Sequence, residues 1–221
     1  MTELQISIML TNEMLGSQPA NKQLFDDFVA ANAPDAETRK EEIERMGAQE
    51  YADKTLTVFP RDEQGRPCML DYQIKGLFKE ACGMLCRADK TRSKTLRAYK
   101  KEIDGLIFVT PRYIELELPE GAEVGRCQRP LRASTPQGDR VALANSETVP
   151  AGTRMGFKVV TLKDALVPLI VEWLAYGEYH GNGQWRNSGK GTFKFEAKDG
   201  KGKVVASNMD LDDLYAQQLL G

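Results

Sequence analysis

Residues 177–193 read Gly-Glu-Tyr-His-Gly-Asn-Gly-Gln-Trp-Arg-Asn-Ser-Gly-Lys-Gly-Thr-Phe and carry five glycines, Tyr179, Trp185, Arg186, Lys190 and His180, the only histidine of the chain. Closely spaced glycines let backbone N–H groups turn toward a ligand and let a polyanion approach with no Cβ atoms in the way. Arg186 and Lys190 supply counter-charge, while Trp185 and Tyr179 offer flat faces on which bases stack, a combination suited to single-stranded nucleic acid. The same residues also compose an ordinary glycine-punctuated turn running into a strand. Their spacing matches neither a Walker phosphate loop nor a dinucleotide fingerprint. His180 is the one imidazole available for general acid–base chemistry, with no evident second acid or base beside it in sequence.

Three further groups of cations stand elsewhere. Lys75 and Lys79 lie one turn apart in a helical pattern that begins near Asp71, so Lys75 falls in the first turn, where unpaired backbone N–H groups favour an anion. Arg87, Lys90, Arg92, Lys94, Arg97, Lys100 and Lys101 pack seven positive charges into a short segment relieved only by Asp89 and joined by Tyr99. Such a run is either a solvated face or a nucleic-acid contact. Residues 121–144 are rich in Gly, Pro and Arg and include Arg126, Arg129, Arg132 and Arg140, whose planar forks bind phosphate oxygens bidentately. They are expected to form a long exposed loop or ribbon.

The formal net charge of −2 excludes wholesale polyanion binding and makes any nucleic-acid surface a local patch. Cys82 and Cys86 stand one helical turn apart, but Cys68 and Cys127 are remote and His180 is distant. The expectation is therefore free thiols in a reducing compartment, with no metal and no cofactor. The longest apolar run, residues 165–175, contains Pro168 and Glu172 and is too short to span a bilayer. The chain is expected to be cytoplasmic, with no membrane partner.

These side chains need elements to hold them. Leu4, Ile6, Ile8 and Leu10 alternate as a first strand. Residues 16–50 read as a charged helical excursion, and residues 55–59 and 68–70 flank a turn as a hairpin. Ile74, Leu77, Phe78, Ala81, Cys82 and Leu85 mark a helix over 71–86, with Asp71 placed to cap it. Strands follow at 106–109 and 113–118, then a turn over 147–153 into a strand with Met155, Phe157 and Val159 alternating. A buried helix over 165–176 ends at Gly177, a strand over 192–196 follows, and a short helix lies near 211–220. Collapsed to its core, this is the β-α-β-β-α-β ferredoxin-like plan, an α+β fold with an antiparallel sheet and helices on one face. One domain over 1–221 carries a helical insertion at 16–50 and an Arg-rich loop or ribbon at 121–150.

Three stretches share a further resemblance. Residues 72–81, Tyr-Gln-Ile-Lys-Gly-Leu-Phe-Lys-Glu-Ala, resemble the Lys-Gly helix of the RAMP superfamily, the RNA-binding proteins of CRISPR systems. Residues 181–193 look like that superfamily's C-terminal glycine-rich loop, and residues 149–157, Val-Pro-Ala-Gly-Thr-Arg-Met-Gly-Phe, are similar to its strand entry. The layout looks most like the crRNA-binding backbone subunits of effector complexes. The resemblance implies single-stranded RNA, such as crRNA, held without catalysis by Lys75, Lys79, Trp185, Arg186, Lys190 and the basic inserts with Arg92, Lys94, Arg97, Arg129 and Arg132, with copies stacked side by side along one strand. It also resembles compact phage and prophage proteins, which implies as an alternative a decoy that binds a CRISPR or host protein. A third reading is a metal-independent endoribonuclease. His180 would activate the ribose 2′-hydroxyl, or an Asp ahead of the hairpin would cleave target RNA. The expected position for that Asp falls near Thr55, with Asp53 two residues earlier.

Overall fold

The computed structural model describes residues 1–20, 56–135 and 138–209, with side chains described outside 130–143. Most of the helical excursion, Asp53 and the final helix near 211–220 lie outside the described residues. Along the chain run β1 (Thr2–Leu10), β2 (Met14–Leu15), β3 (Gln18–Pro19), β4 (Thr57–Val58), β5 (Cys68–Leu70), α1 (Asp71–Leu85), α2 (Tyr99–Leu106), β6 (Ile107–Thr110), β7 (Tyr113–Glu115), β8 (Gly125–Thr135), β9 (Gly138–Val149), β10 (Arg154–Thr161), α3 (Val167–His180), β11 (Phe193–Asp199) and β12 (Val204–Ser207). The chain divides into two compact units. The first comprises Met1–Met14, Pro60–Ala122 and Pro150–Gly221, the second Leu15–Phe59 and Glu123–Val149.

The first unit holds a five-stranded sheet in the order β12-β11-β1-β10-β6, with antiparallel pairing throughout. Without the β12 edge strand this is the ferredoxin-like arrangement, α1 and α3 being the two crossover helices. Period-2 alternation sets the register: Ile6 stands opposite Phe157 on one side and Ala197 on the other, and Val159 opposite Val109. These residues are all buried. α1 buries Ile74, Leu77, Phe78, Ala81 and Cys82 at helical spacing, and α3 buries Leu169, Ile170, Trp173 and Leu174. The helices meet through Phe78 and Trp173, both fully buried with ring centroids 5.6 Å apart.

Several local expectations are corrected. Asp71 is the first residue of α1 rather than its cap. Gln73 Oε1 accepts the Leu70 N–H at 2.7 Å, and the Asp71 carboxylate accepts the Tyr72 N–H and pairs with Arg112. Gly177 does not end α3, which continues to His180. A Cβ on Gly177 would stand 2.1 Å from Phe193 Cζ, so this glycine admits a ring against the helix. The turn after Pro60 is closed by an Arg61–Pro67 bridge, and the Asp62 carboxylate accepts N–H groups of Gln64 and Arg66. However, β5 pairs with β7 and not with residues 57–58. α2 has no counterpart in the sequence reading; Ile103 is its one buried residue.

In the second unit β8 and β9 form a long antiparallel ribbon, so residues 125–149 take the ribbon form of the two expected. β4 runs parallel to β9 at Thr57 and Ser146, whose hydroxyls lie 2.8 Å apart, and antiparallel to β3. Residues 147–149, expected in a turn, end β9 instead. The Glu147 carbonyl accepts the Gly16 N–H and its carboxylate the Phe59 N–H, both at 2.9 Å.

Candidate nucleic-acid interface

The glycine-rich loop leaves α3 at Gly181, which takes φ 77° and whose N–H still reaches the Gly177 carbonyl at 2.8 Å. Its two arms are tied at the base: Asn182 N–H donates to Gly191 O at 2.9 Å, and Gly191 N–H to Glu13 O at 2.8 Å. A Cβ on Gly191 would fall 1.9 Å from the Asn182 carbonyl oxygen. This glycine therefore serves the loop's own closure, where the sequence reading assigned such residues to ligand approach. At the tip Trp185 adopts φ 58° and ψ 35°, a left-handed conformation that costs a residue with a side chain roughly 1 kcal/mol or more. Lys190 pairs with Glu13 and holds its ammonium 5.9 Å from the centre of the exposed Trp185 ring.

α1 meets this loop through Glu80. One carboxylate oxygen lies 3.0 Å from His180 Nε2 and the other pairs with the Arg186 guanidinium. The Tyr176 ring stacks on the imidazole with centroids 4.9 Å apart. Burial, reinforced by the Glu80 carboxylate, pushes the Tyr176 phenol above its ordinary value. A neutral His180 that donates Nε2–H to Glu80 leaves Nδ1 as its basic nitrogen, the orientation a carboxylate imposes on a general base. Glu80 is thus the second group that sequence inspection lacked. It lies 100 residues before His180, and only the packing of α1 beside α3 brings the two together.

Farther along α1, Lys79 pairs with Asp104 of α2 at 2.6 Å. Lys75 donates to the Asp104 carbonyl at 3.3 Å and stands 5.4 Å from the centre of the Phe108 ring. Its ammonium has no carboxylate partner among the described residues. One turn earlier, Arg112 lies 5.3 Å from the centre of the exposed Tyr72 ring.

The basic segment is anchored through its backbone. The Glu172 carboxylate accepts the N–H groups of Arg92 and Ser93 at 2.7 and 2.9 Å and the Ser93 hydroxyl at 2.5 Å, and Ser93 Oγ accepts from Trp173 Nε1 at 2.9 Å. The side chains of Arg92 and Arg97 remain exposed, while Lys94 pairs with Asp89 at 2.8 Å. In the second unit Arg129 is buried within β8 rather than displayed on a loop, and Arg132 stands in β8 opposite Val141. Cys68 and Cys82 are buried free thiols, raised by that burial above the usual range. No helix among the described residues is long and apolar enough to cross a membrane.

No family model matches the chain, and no curated protein matches it in sequence. Solved structures do match. A chain of the type III-B Cmr-beta bound to cognate target RNA, determined by cryo-EM, aligns with a TM-score of 0.50 at 9% identity, over 94% of this chain and 60% of that one. A chain of a type IV-B CRISPR complex aligns with a TM-score of 0.43 at 12% identity, over 97% of this chain and 98% of that one. The chain thus spans about 60% of the length of the Cmr-beta chain. What it shares with that chain is a fold, built here on a ferredoxin-like core.

Proposed function

We propose that this chain is a non-catalytic RNA-binding protein of the CRISPR-associated RAMP type. It holds single-stranded RNA, crRNA in particular, by the phosphate backbone, in copies set side by side along the strand. One observation carries the reading: the Glu80 carboxylate holds His180 and Arg186, which ties the glycine-rich loop to α1, the helix that also carries Lys75 and Lys79. Two cation groups distant in sequence thereby sit on joined elements, and under this reading the RNA backbone passes from one to the other. The exposed Arg92 and Arg97 add positive charge to the same unit. Fluorescence anisotropy with a labelled single-stranded RNA across a salt series tests this. Lys75→Glu combined with Arg186→Glu should weaken binding at least tenfold and flatten the salt dependence. A double variant that binds like wild type would remove these residues from the interface.

A second reading is favoured by the Glu80–His180 contact. A carboxylate-oriented imidazole beside an arginine is equipped to activate a ribose 2′-hydroxyl and neutralise the phosphate it attacks. Under this reading the wild type cuts RNA without metal, and His180→Ala abolishes cutting while binding persists. Intact RNA after prolonged incubation with wild type would eliminate it.

A further inference from the structure

The edge of the first unit formed by α1 and β6 places aromatic rings where sequence inspection found only lysines. Tyr72 is 53% exposed and Phe108 45% exposed, although each is a large ring that folding would ordinarily bury. Tyr72 lies one turn before Lys75 on the same face of α1, and Phe108 lies beneath the Lys75 ammonium. Tyr113, 47% exposed, continues the row through its pairing with Leu70, the residue before α1. Gly76 stands on that face between Lys75 and Lys79, and a Cβ there would meet nothing within 4 Å, so the surface is open to a flat ligand.

Charge at this edge selects the ligand. Arg112 is neutralised by Asp71 and Lys79 by Asp104, which leaves Lys75 as the cation of this edge without a carboxylate among the described residues. A protein partner would need only the apolar rings, whereas exposed rings beside an ammonium suit a base and its phosphate. We infer that Tyr72 and Phe108 form a stacking platform for the bases of the single-stranded RNA whose phosphate Lys75 takes. The inference rests on the RNA-binding reading above and adds that the protein grips bases as well as backbone.

The test compares two labelled probes of roughly twelve residues each, within the span of single-strand binders. One is oligoadenylate and the other an abasic ribose-phosphate oligomer of equal charge. Tyr72→Leu combined with Phe108→Leu keeps apolar bulk, removes the π faces and alters only exposed positions, so thermal denaturation should match wild type. The double variant is expected to bind oligoadenylate at least fivefold more weakly and the abasic oligomer unchanged, while Lys75→Ala weakens both. Equal binding of oligoadenylate by variant and wild type would overturn the platform, as would an equal loss on both probes. Wild type that binds neither probe would overturn the RNA reading itself.

Discussion

The glycine-rich loop and the α1–β6 edge treat their charges in opposite ways. In the loop Arg186 is held by Glu80 and Lys190 by Glu13, and Gly191 is required by the loop's own closure. At the edge Lys75 meets, among the described residues, a backbone carbonyl and a ring, and a Cβ on Gly76 would touch nothing within 4 Å. The stretch most conspicuous in sequence is thus internally satisfied, and phosphate must compete with carboxylates to use it. The quieter edge is ready without rearrangement. A residue type suited to a ligand is not evidence of availability until its partners are known.

Substitutions can sharpen this contrast. The largest expected effect is Gly177→Val, which drives side-chain atoms into the Phe193 ring and should cost about 3 kcal/mol, read as a fall in Tm of about 6–12 °C. An unchanged Tm would show that the loop's foundation on α3 is looser than described. Glu80→Gln frees Arg186 and loosens His180 and should cost about 0.5–1 kcal/mol, because the pair is about one-third exposed. It should also weaken RNA binding severalfold, since the loop loses its tie to α1; stronger binding would mean Glu80 masks Arg186 more than it positions the loop.

Gly76→Ala should stabilise by roughly 0.5–1 kcal/mol, as an alanine in an exposed helix interior that meets no neighbour. If RNA affinity falls in this more stable variant, the bare backbone serves close approach of the ligand. The smallest effect concerns Asp199, whose carboxyl is held below its ordinary value of 3.8 chiefly by the N–H groups of Lys203 and Lys201. Its contribution is present above the unfolded carboxylate value and is lost as pH falls through the lower folded one. Asp199→Asn should therefore flatten the acid limb of a pH–stability profile and leave RNA binding unchanged, because the β11–β12 turn lies outside both regions compared.

Much of the core was legible because alternation in β1, β10 and β11 and the three-and-four spacing of α1 are driven by burial of one face. α2 was not, because seven nearby charges dominate its neighbourhood and Ile103 alone marks its inner side. The end of α3 was misplaced because glycine signals both helix termination and close packing, and only the Phe193 ring distinguishes them. The cations of the loop and of α1 were visible by residue type. Their partners Glu80, Glu13 and Asp104 were not, since each is contributed by a different element. Tyr72 and Phe108 went unremarked as contacts for the same reason: exposure is decided by the fold.

Size-exclusion chromatography with light scattering and dual-wavelength absorbance, before and after ribonuclease treatment, tests the central claim most directly. The account predicts a large particle rich in nucleic acid that collapses on nuclease digestion. A monomer free of nucleic acid, unchanged by nuclease and unable to take up added single-stranded RNA, would contradict it.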